Sequence, residues 1–155
     1  DANPPYDYLN IKFGEGGQID RTFEGAKTDT WYHIALVFDG SQATLYVNGS
    51  KITSTDKPAG RVFKLNDAIH VAGSGISYFI NACIFSELRI WNTARTLEQL
   101  RDNEYTVDPT TPGLLHYWKM NEGSGDTFKD ATGHGNNGKA ATLPTWNANV
   151  RIDGK

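Results

Sequence analysis

Apolar positions along this chain come in short runs, alternating with polar residues or broken by glycine, as expected of many strands joined by tight turns. The clearest passage is residues 31–53. Trp31-Tyr32-His33-Ile34-Ala35-Leu36-Val37-Phe38 is apolar on both faces, which predicts a strand buried inside a sandwich, and Asp39-Gly40 ends it. Ala43, Leu45 and Val47 then alternate with Thr44, Tyr46 and Asn48, the pattern of a half-buried strand. Asn tolerates and Gly prefers the left-handed region that a type I′ turn needs, so Asn48-Gly49 predicts a hairpin with residues 50–53 returning along residues 44–47.

Upstream, residues 8–13 alternate with period two and residues 18–23 are a plausible partner, predicting a second hairpin. Residues 68–72 and 79–91 read as strands, with Ile80, Ala82, Ile84, Leu88 and Ile90 on one face. One short helix is expected: Thr96 and Gln99 fit a capping box, Leu97 and Leu100 face inward, and the helix ends near Tyr105. Residues 114–120 read as a strand, 121–129 as a polar loop and 130–138 as the densest turn region. Short β pieces follow near 139–142 and 146–152.

Length then limits the architecture, because 155 residues close one sizeable core and make two ordinary domains improbable, so residues 1–155 are read as one domain. A net charge of −3 provides no cationic field for a phosphate backbone, which excludes nucleic acid as a partner class. The single cysteine, Cys83, lies in an apolar stretch and is expected to be a buried, inert thiol. No apolar run is long enough to span a bilayer, and residues 1–5 lack the features of an export signal, which is expected to lie upstream of Asp1.

Three stretches carry a resemblance. Residues 31–40 followed by Leu45-Tyr46-Val47-Asn48-Gly49 look like the central hairpin of the laminin-G-like, concanavalin-type jelly-roll family. Residues 87–100 resemble that family's late strand and short helix. Residues 113–125 with 129–138, containing Tyr117-Trp118-Lys119 and Asp130-Ala131-Thr132-Gly133-His134-Gly135, resemble a motif that often opens the domain and here comes last. That order is similar to a subset found in surface proteins of glycan-degrading Gram-negative bacteria. The resemblance implies an all-β, antiparallel two-sheet jelly-roll sandwich with one short helix. It also implies strands ahead of Tyr8, so the domain is expected to lack its leading strands and to depend on an upstream segment or a second chain to supply them.

Fold does not fix activity, so the candidate chemistry is read residue by residue. Glycoside hydrolysis needs two carboxyl groups flanking the bond, set in such hydrolases as a Glu-x-Asp-x-Glu-like run, and none occurs here. Glu87 is read instead as a surface ion pair with Arg89. No Gly-x-Ser-x-Gly elbow appears, His33, His70 and His116 read as structural residues, and no histidine or cysteine spacing suggests zinc. The chain is therefore expected to have no catalytic residues.

Calcium is possible because the resemblance implies hard-cation sites at loop rims. Asp126 and Asp130, with Asn136, are the candidate ligands, although Asx turns within their own glycine-rich loop are the favoured reading of Asp130 and Asn136. For sugar binding, Tyr78, His134 and Asn136 are the candidates, offering ring stacking and planar hydrogen-bonding groups on loops. Trp31, Trp91 and Trp118 are assigned to packing, and Asn48-Gly49-Ser50 to its turn rather than to glycosylation. The function implied is a non-catalytic, extracytoplasmic module, at the cell surface or in the periplasm, that binds glycan or attaches an adjoining domain to one. The alternative is a structural or protein-interaction module without a ligand pocket.

Overall fold

The structure is a computed structural model that describes residues 8–13, 19–24, 26–27, 29–56 and 83–147. Among these residues the secondary structure is antiparallel strands with a single short helix, the all-β class expected of a jelly-roll sandwich. The chain forms two compact units, Asp1–Arg61 with Thr93–Thr106, and Val62–Asn92 with Val107–Lys155. The strand expected at 68–72, and Ile80 and Ala82 of the next, lie outside the described residues.

In the first unit, β1 (Tyr8–Phe13) pairs with β2 (Ile19–Glu24), Tyr8 opposite Glu24 and Phe13 opposite Ile19, which is the hairpin the alternation predicts. β3 (Ile34–Phe38), β4 (Gln42–Val47) and β5 (Ser50–Asp56) form a three-stranded sheet with β4 in the centre. Asp39 shapes the first turn: its Oδ1 accepts hydrogen bonds from the backbone N–H of Gln42 (2.7 Å) and from both the N–H (2.8 Å) and hydroxyl (2.9 Å) of Ser41. These donors favour the ionised form, and the Gln42 N–H leads in holding the Asp39 carboxyl below its ordinary pKa.

The second turn is the expected type I′, with φ of 47° at Asn48 and 64° at Gly49. On β4, Ala43 and Leu45 are fully buried and Val47 nearly so, as the alternation requires, and Thr44 on the opposite face is buried too. β5 carries a bulge: Leu45 faces Thr53 and Tyr46 faces Lys51, which leaves Ile52 as the extra residue, exposed to solvent.

The strand expected over residues 31–38 starts only at Ile34, and Trp31 and Ile34 remain exposed by 42% and 39%. Its partner explains this. β4 ends at Val47, and the last link is a reciprocal clasp in which Asn48 N–H donates to the His33 carbonyl (2.8 Å) while His33 N–H donates to Asn48 Oδ1 (2.8 Å). Residues before His33 have no neighbouring strand from this hairpin.

Helix α1 (Leu97–Asp102) has the expected capping box, with Thr96 Oγ1 accepting from Gln99 N–H (3.2 Å) and Gln99 Oε1 accepting from Thr96 N–H (3.0 Å). Leu100 is buried as expected, but Leu97 is exposed rather than facing inward. The helix stops at Asp102 rather than near Tyr105, because Asn103 leaves helical geometry and its side chain takes up the Gln99 carbonyl (2.7 Å). Arg101 reaches the Gly49 carbonyl through Nη2 (3.0 Å) and Nε (3.3 Å), tying the helix to the β4–β5 turn.

In the second unit, β6 (Leu88–Trp91) pairs with β7 (Leu114–Trp118), and β8 (Thr127–Phe128) with β9 (Gly138–Lys139). Its core is Val107, Leu114 and Tyr117, packed against Trp91 and Ala131. Burying the Tyr117 ring contributes on the order of 2–3 kcal/mol. Its hydroxyl donates to Glu87 Oε2, which also pairs with Arg89, and the Arg89 and Lys119 cations lie over its ring at 5.2 and 5.5 Å. Glu87 thus forms the expected pair with Arg89, but in a largely buried setting rather than at the surface.

Two expectations fail upstream of β6. Residues 83–87 are not strand, and Cys83 is exposed rather than buried, as are Ile84 (51%) and Phe85. Glu87, with a φ of 61°, breaks extended geometry immediately before β6 and so separates this stretch from that strand. Met120, with φ 56°, ends the region of β7 in the same way. The loop expected at 121–129 contains the short strand β8, the piece expected near 139–142 is represented by Gly138–Lys139, and residues 148–152 of the piece expected near 146–152 lie outside the described residues.

Candidate functional site

The second unit gathers chemistry where β7 meets the turn-rich loop at residues 130–138. Alternation along β7 turns Tyr117 into the core and leaves His116 and Trp118 on the other face, their rings 5.4 Å apart. Asp130 bridges to Trp118 as an isolated β pair, and the backbone N–H of Ala131 donates to the Tyr117 carbonyl (2.7 Å). The loop is thereby held against the strand.

Asp130 is the centre of this junction. Its Oδ1 accepts from the buried Tyr117 N–H (3.1 Å), from Thr132 N–H (3.0 Å) and from the Thr132 hydroxyl (2.7 Å), while its Oδ2 faces Nδ1 of His116 at 2.9 Å. Burial by itself raises the pKa of this carboxyl. Hydrogen bonds from the Thr132 hydroxyl, His116 and the Tyr117 and Thr132 N–H groups outweigh it and hold the pKa at about 2. The carboxylate is ionised and can only accept, so His116 carries its proton on Nδ1. The Asx turn expected at Asp130 is present.

His134, on the exposed loop, sets Nδ1 against the Leu115 carbonyl (2.8 Å), and its ring meets that of His116 edge-on at 6.4 Å between centroids. A ring nitrogen from each histidine and a carboxylate oxygen of Asp130 lie within 4.8 Å of one another. Asn136 is exposed, and its carbonyl accepts from the Trp118 indole N–H (2.8 Å), so Trp118 has the structural partner expected of it.

The other sequence candidates lie elsewhere. Asp126 turns toward Thr127, whose hydroxyl donates to Oδ1 (3.1 Å), and toward Lys139 at 3.4 Å; the Thr127 hydrogen bond leads in lowering its pKa. Asp126 and Asp130 therefore have separate sets of partners. Tyr78 lies outside the described residues.

Asp126 lines an open cleft of about 340 Å³ together with Glu122, Ser124, Gly125, Thr127 and Lys129. Glu122 Oε1 accepts from Lys129 N–H (2.8 Å), whereas its Oε2 is buried without a hydrogen-bond partner among the described residues. Trp146 donates to the Gly125 carbonyl (3.0 Å) and packs on Phe128, bringing an aromatic ring beside the cleft. Sequence reading passes over these groups. Glu122 counts there as one scattered glutamate and Trp146 as part of a late β piece, with no spacing that joins them.

Residues 7–101 match a laminin G-type family model described as the concanavalin A-like lectin/glucanases superfamily. The chain belongs to that superfamily. Its fold class, an all-β antiparallel jelly-roll sandwich with one short helix, is that of the superfamily. A solved structure from Bacteroides ovatus ATCC 8483, named as a candidate carbohydrate-binding protein, is similar to this member at 30% identity and a TM-score of 0.67. The similarity covers 96% of this chain and 45% of that one, so this chain spans less than half the length of the Bacteroides protein. No curated protein matches the chain at a significant level. Among the described residues of this superfamily member, no helix is long and apolar enough to cross a membrane.

Proposed function

We propose that this chain is a non-catalytic carbohydrate-binding module that works outside the cytoplasm, binding a glycan or attaching an adjoining domain to one. The observation that carries the reading is the similarity, over nearly the whole chain, to the Bacteroides protein named for carbohydrate binding. The cleft at Glu122, Ser124, Asp126 and Lys129 supports it, because carboxylate, hydroxyl and ammonium groups together match the donors and acceptors of sugar hydroxyls. Trp146 beside it offers a ring for stacking. His134, Asn136 and Tyr78 are further candidate contacts, and any calcium would take oxygen from Asp126 or Asp130 separately, since the two have different partners. The lack of a paired-carboxylate run supports a binding role over hydrolysis, and the resemblance to surface proteins of glycan-degrading bacteria supports the extracytoplasmic setting.

A glycan array followed by affinity electrophoresis tests this reading. Retardation by at least one glycan is expected, reduced in Asp126→Ala and Trp146→Ala. Loss in His134→Ala and Asn136→Ala, with the cleft variants unaffected, would move the sugar to the 130–138 loop. A folded protein retained by no glycan would overturn the proposal in favour of a structural or protein-interaction module.

A further inference from the structure

We infer that His116, Asp130 and His134 form a site for a divalent transition-metal ion of the imidazole-preferring class, with Zn²⁺ as its representative. This goes beyond the glycan reading and does not rest on it. The donor set is two imidazoles and one carboxylate, from β7 and from the loop that packs on it. Nitrogen ligands disfavour Ca²⁺, which takes oxygen, and suit Zn²⁺, Cu²⁺ or Ni²⁺.

The geometry is close to that of a loaded site. The three donor atoms lie within 4.8 Å of one another, and His116 Nδ1 and Asp130 Oδ2 are only 2.9 Å apart. Ligands of a tetrahedral zinc stand about 3.3 Å from each other when the bonds are about 2.0–2.1 Å. Binding therefore needs the pair to open slightly, with the His116 proton passing from Nδ1 to Nε2 by way of solvent, and the exposed His134 ring to swing inward by an ångström or so.

Asp130 has the capacity for this. Oδ1 is engaged by three donors, whereas among the described residues Oδ2 accepts from His116 alone and keeps a free lone pair. The Asp130 side chain is fully buried and that of His116 is 23% exposed, so two ligands are held rigidly while the third stands at the solvent edge. Three protein ligands with an accessible side leave one coordination position for water or another oxygen donor. A bound ion would clip β7 to the loop across 18 residues, adding stability that grows with metal concentration.

Isothermal titration of the EDTA-stripped 155-residue chain with ZnCl₂ tests the site, with thermal melts in parallel. The expected result is one Zn²⁺ per chain, a melting temperature that rises with Zn²⁺, and no displacement by equimolar Ca²⁺. His134→Ala should weaken binding by about tenfold or more. Because His134 is exposed, the metal-free melt of that variant should barely move. His134→Cys should bind, and His33→Gln, whose substitution lies on the other unit, should bind as the parent does. Absence of stoichiometric Zn²⁺ binding by the parent chain, or unweakened binding by folded His134→Ala, overturns the inference.

Discussion

Replacing Asp130 by asparagine removes one charge while keeping an oxygen for the donors that Oδ1 serves. The new side-chain amide would still accept from Tyr117 N–H, Thr132 N–H and the Thr132 hydroxyl, and its NH₂ group would face His116, which can change tautomer to accept. What is lost is the preference of these four donors for a carboxylate. The displacement of the Asp130 pKa from 3.8 to about 2 converts that preference to about 2 kcal/mol. Because the folded-state pKa lies below the unfolded one, this stabilisation is fully present above pH 3.8 and is lost as pH falls toward 2. Asp130→Asn should therefore be about 2 kcal/mol less stable than the parent at pH 7, and the gap should nearly close at pH 2.

Urea unfolding followed by circular dichroism at pH 7, 5, 4, 3 and 2 measures the gap directly. Asp39, Asp108 and Asp126 also have lowered pKa values, but they occur in both proteins and cancel in the difference. Asp130→Ala supplies the upper bound: it strands the buried Tyr117 N–H and both Thr132 donors and should cost about 3–5 kcal/mol at pH 7, a gap that shrinks toward pH 2 by the same amount as that of the asparagine variant. A parent-to-Asn gap that stays constant from pH 7 to pH 2 would refute the reasoning, since it would mean the carboxylate's charge has no part in holding the loop to β7.

Other expectations follow from single contacts. Gly49→Val should destabilise by about 1–3 kcal/mol, since φ is 64° and a Cβ would meet the Arg101 stem at 2.7 Å; an unchanged urea midpoint would contradict the type I′ turn. Thr96→Ala should cost about 1 kcal/mol by breaking the capping box, read from the same midpoint. Tyr117→Phe should cost about 1–2 kcal/mol, because a fully buried residue loses its bond to Glu87. No glycan in a substrate panel should be turned over by the purified chain; turnover abolished by replacing one glutamate would show catalysis.

Local signals predicted the fold well wherever the structure obeys them. The Asn48-Gly49 turn, the buried series Ala43, Leu45 and Val47, the β1–β2 hairpin and the Thr96 capping box each depend on residues within a few positions of one another, so periodicity and turn chemistry suffice. The failures come from single residues that override a pattern. Glu87 in a left-handed conformation, next to the Ser86 that interrupts the apolar series, separates Ile84 from Leu88 and Ile90, and Cys83 on the far side of it is exposed. Trp31 looks like core, yet β4 turns back at Asn48 and leaves it without that strand beside it, and Ile34, the first residue paired with β4, is exposed at the end of the sheet.

The candidate site was harder to read: Asp130 and His134 stand out in the turn-rich loop, but no sequence spacing joins His116 to them. His116 stands 14 residues from Asp130 and 18 from His134, outside any spacing at which one helix or strand would bring two ligands together, so a search for paired histidines passes over them. What joins them is the return of the loop onto β7, fixed by the Trp118–Asp130 bridge and by Ala131 N–H on the Tyr117 carbonyl. The same contacts explain why His116 reads as structural. Its bond to Asp130 does satisfy a half-buried ring, and an arrangement that steadies an imidazole with a carboxylate is also one that readies the pair for a metal. Packing and ligation therefore do not compete at this junction: the Tyr117 core and the Thr132 donors rigidify Asp130, the His116–Asp130 pair has to open only slightly, and the larger movement falls to His134 on the exposed loop.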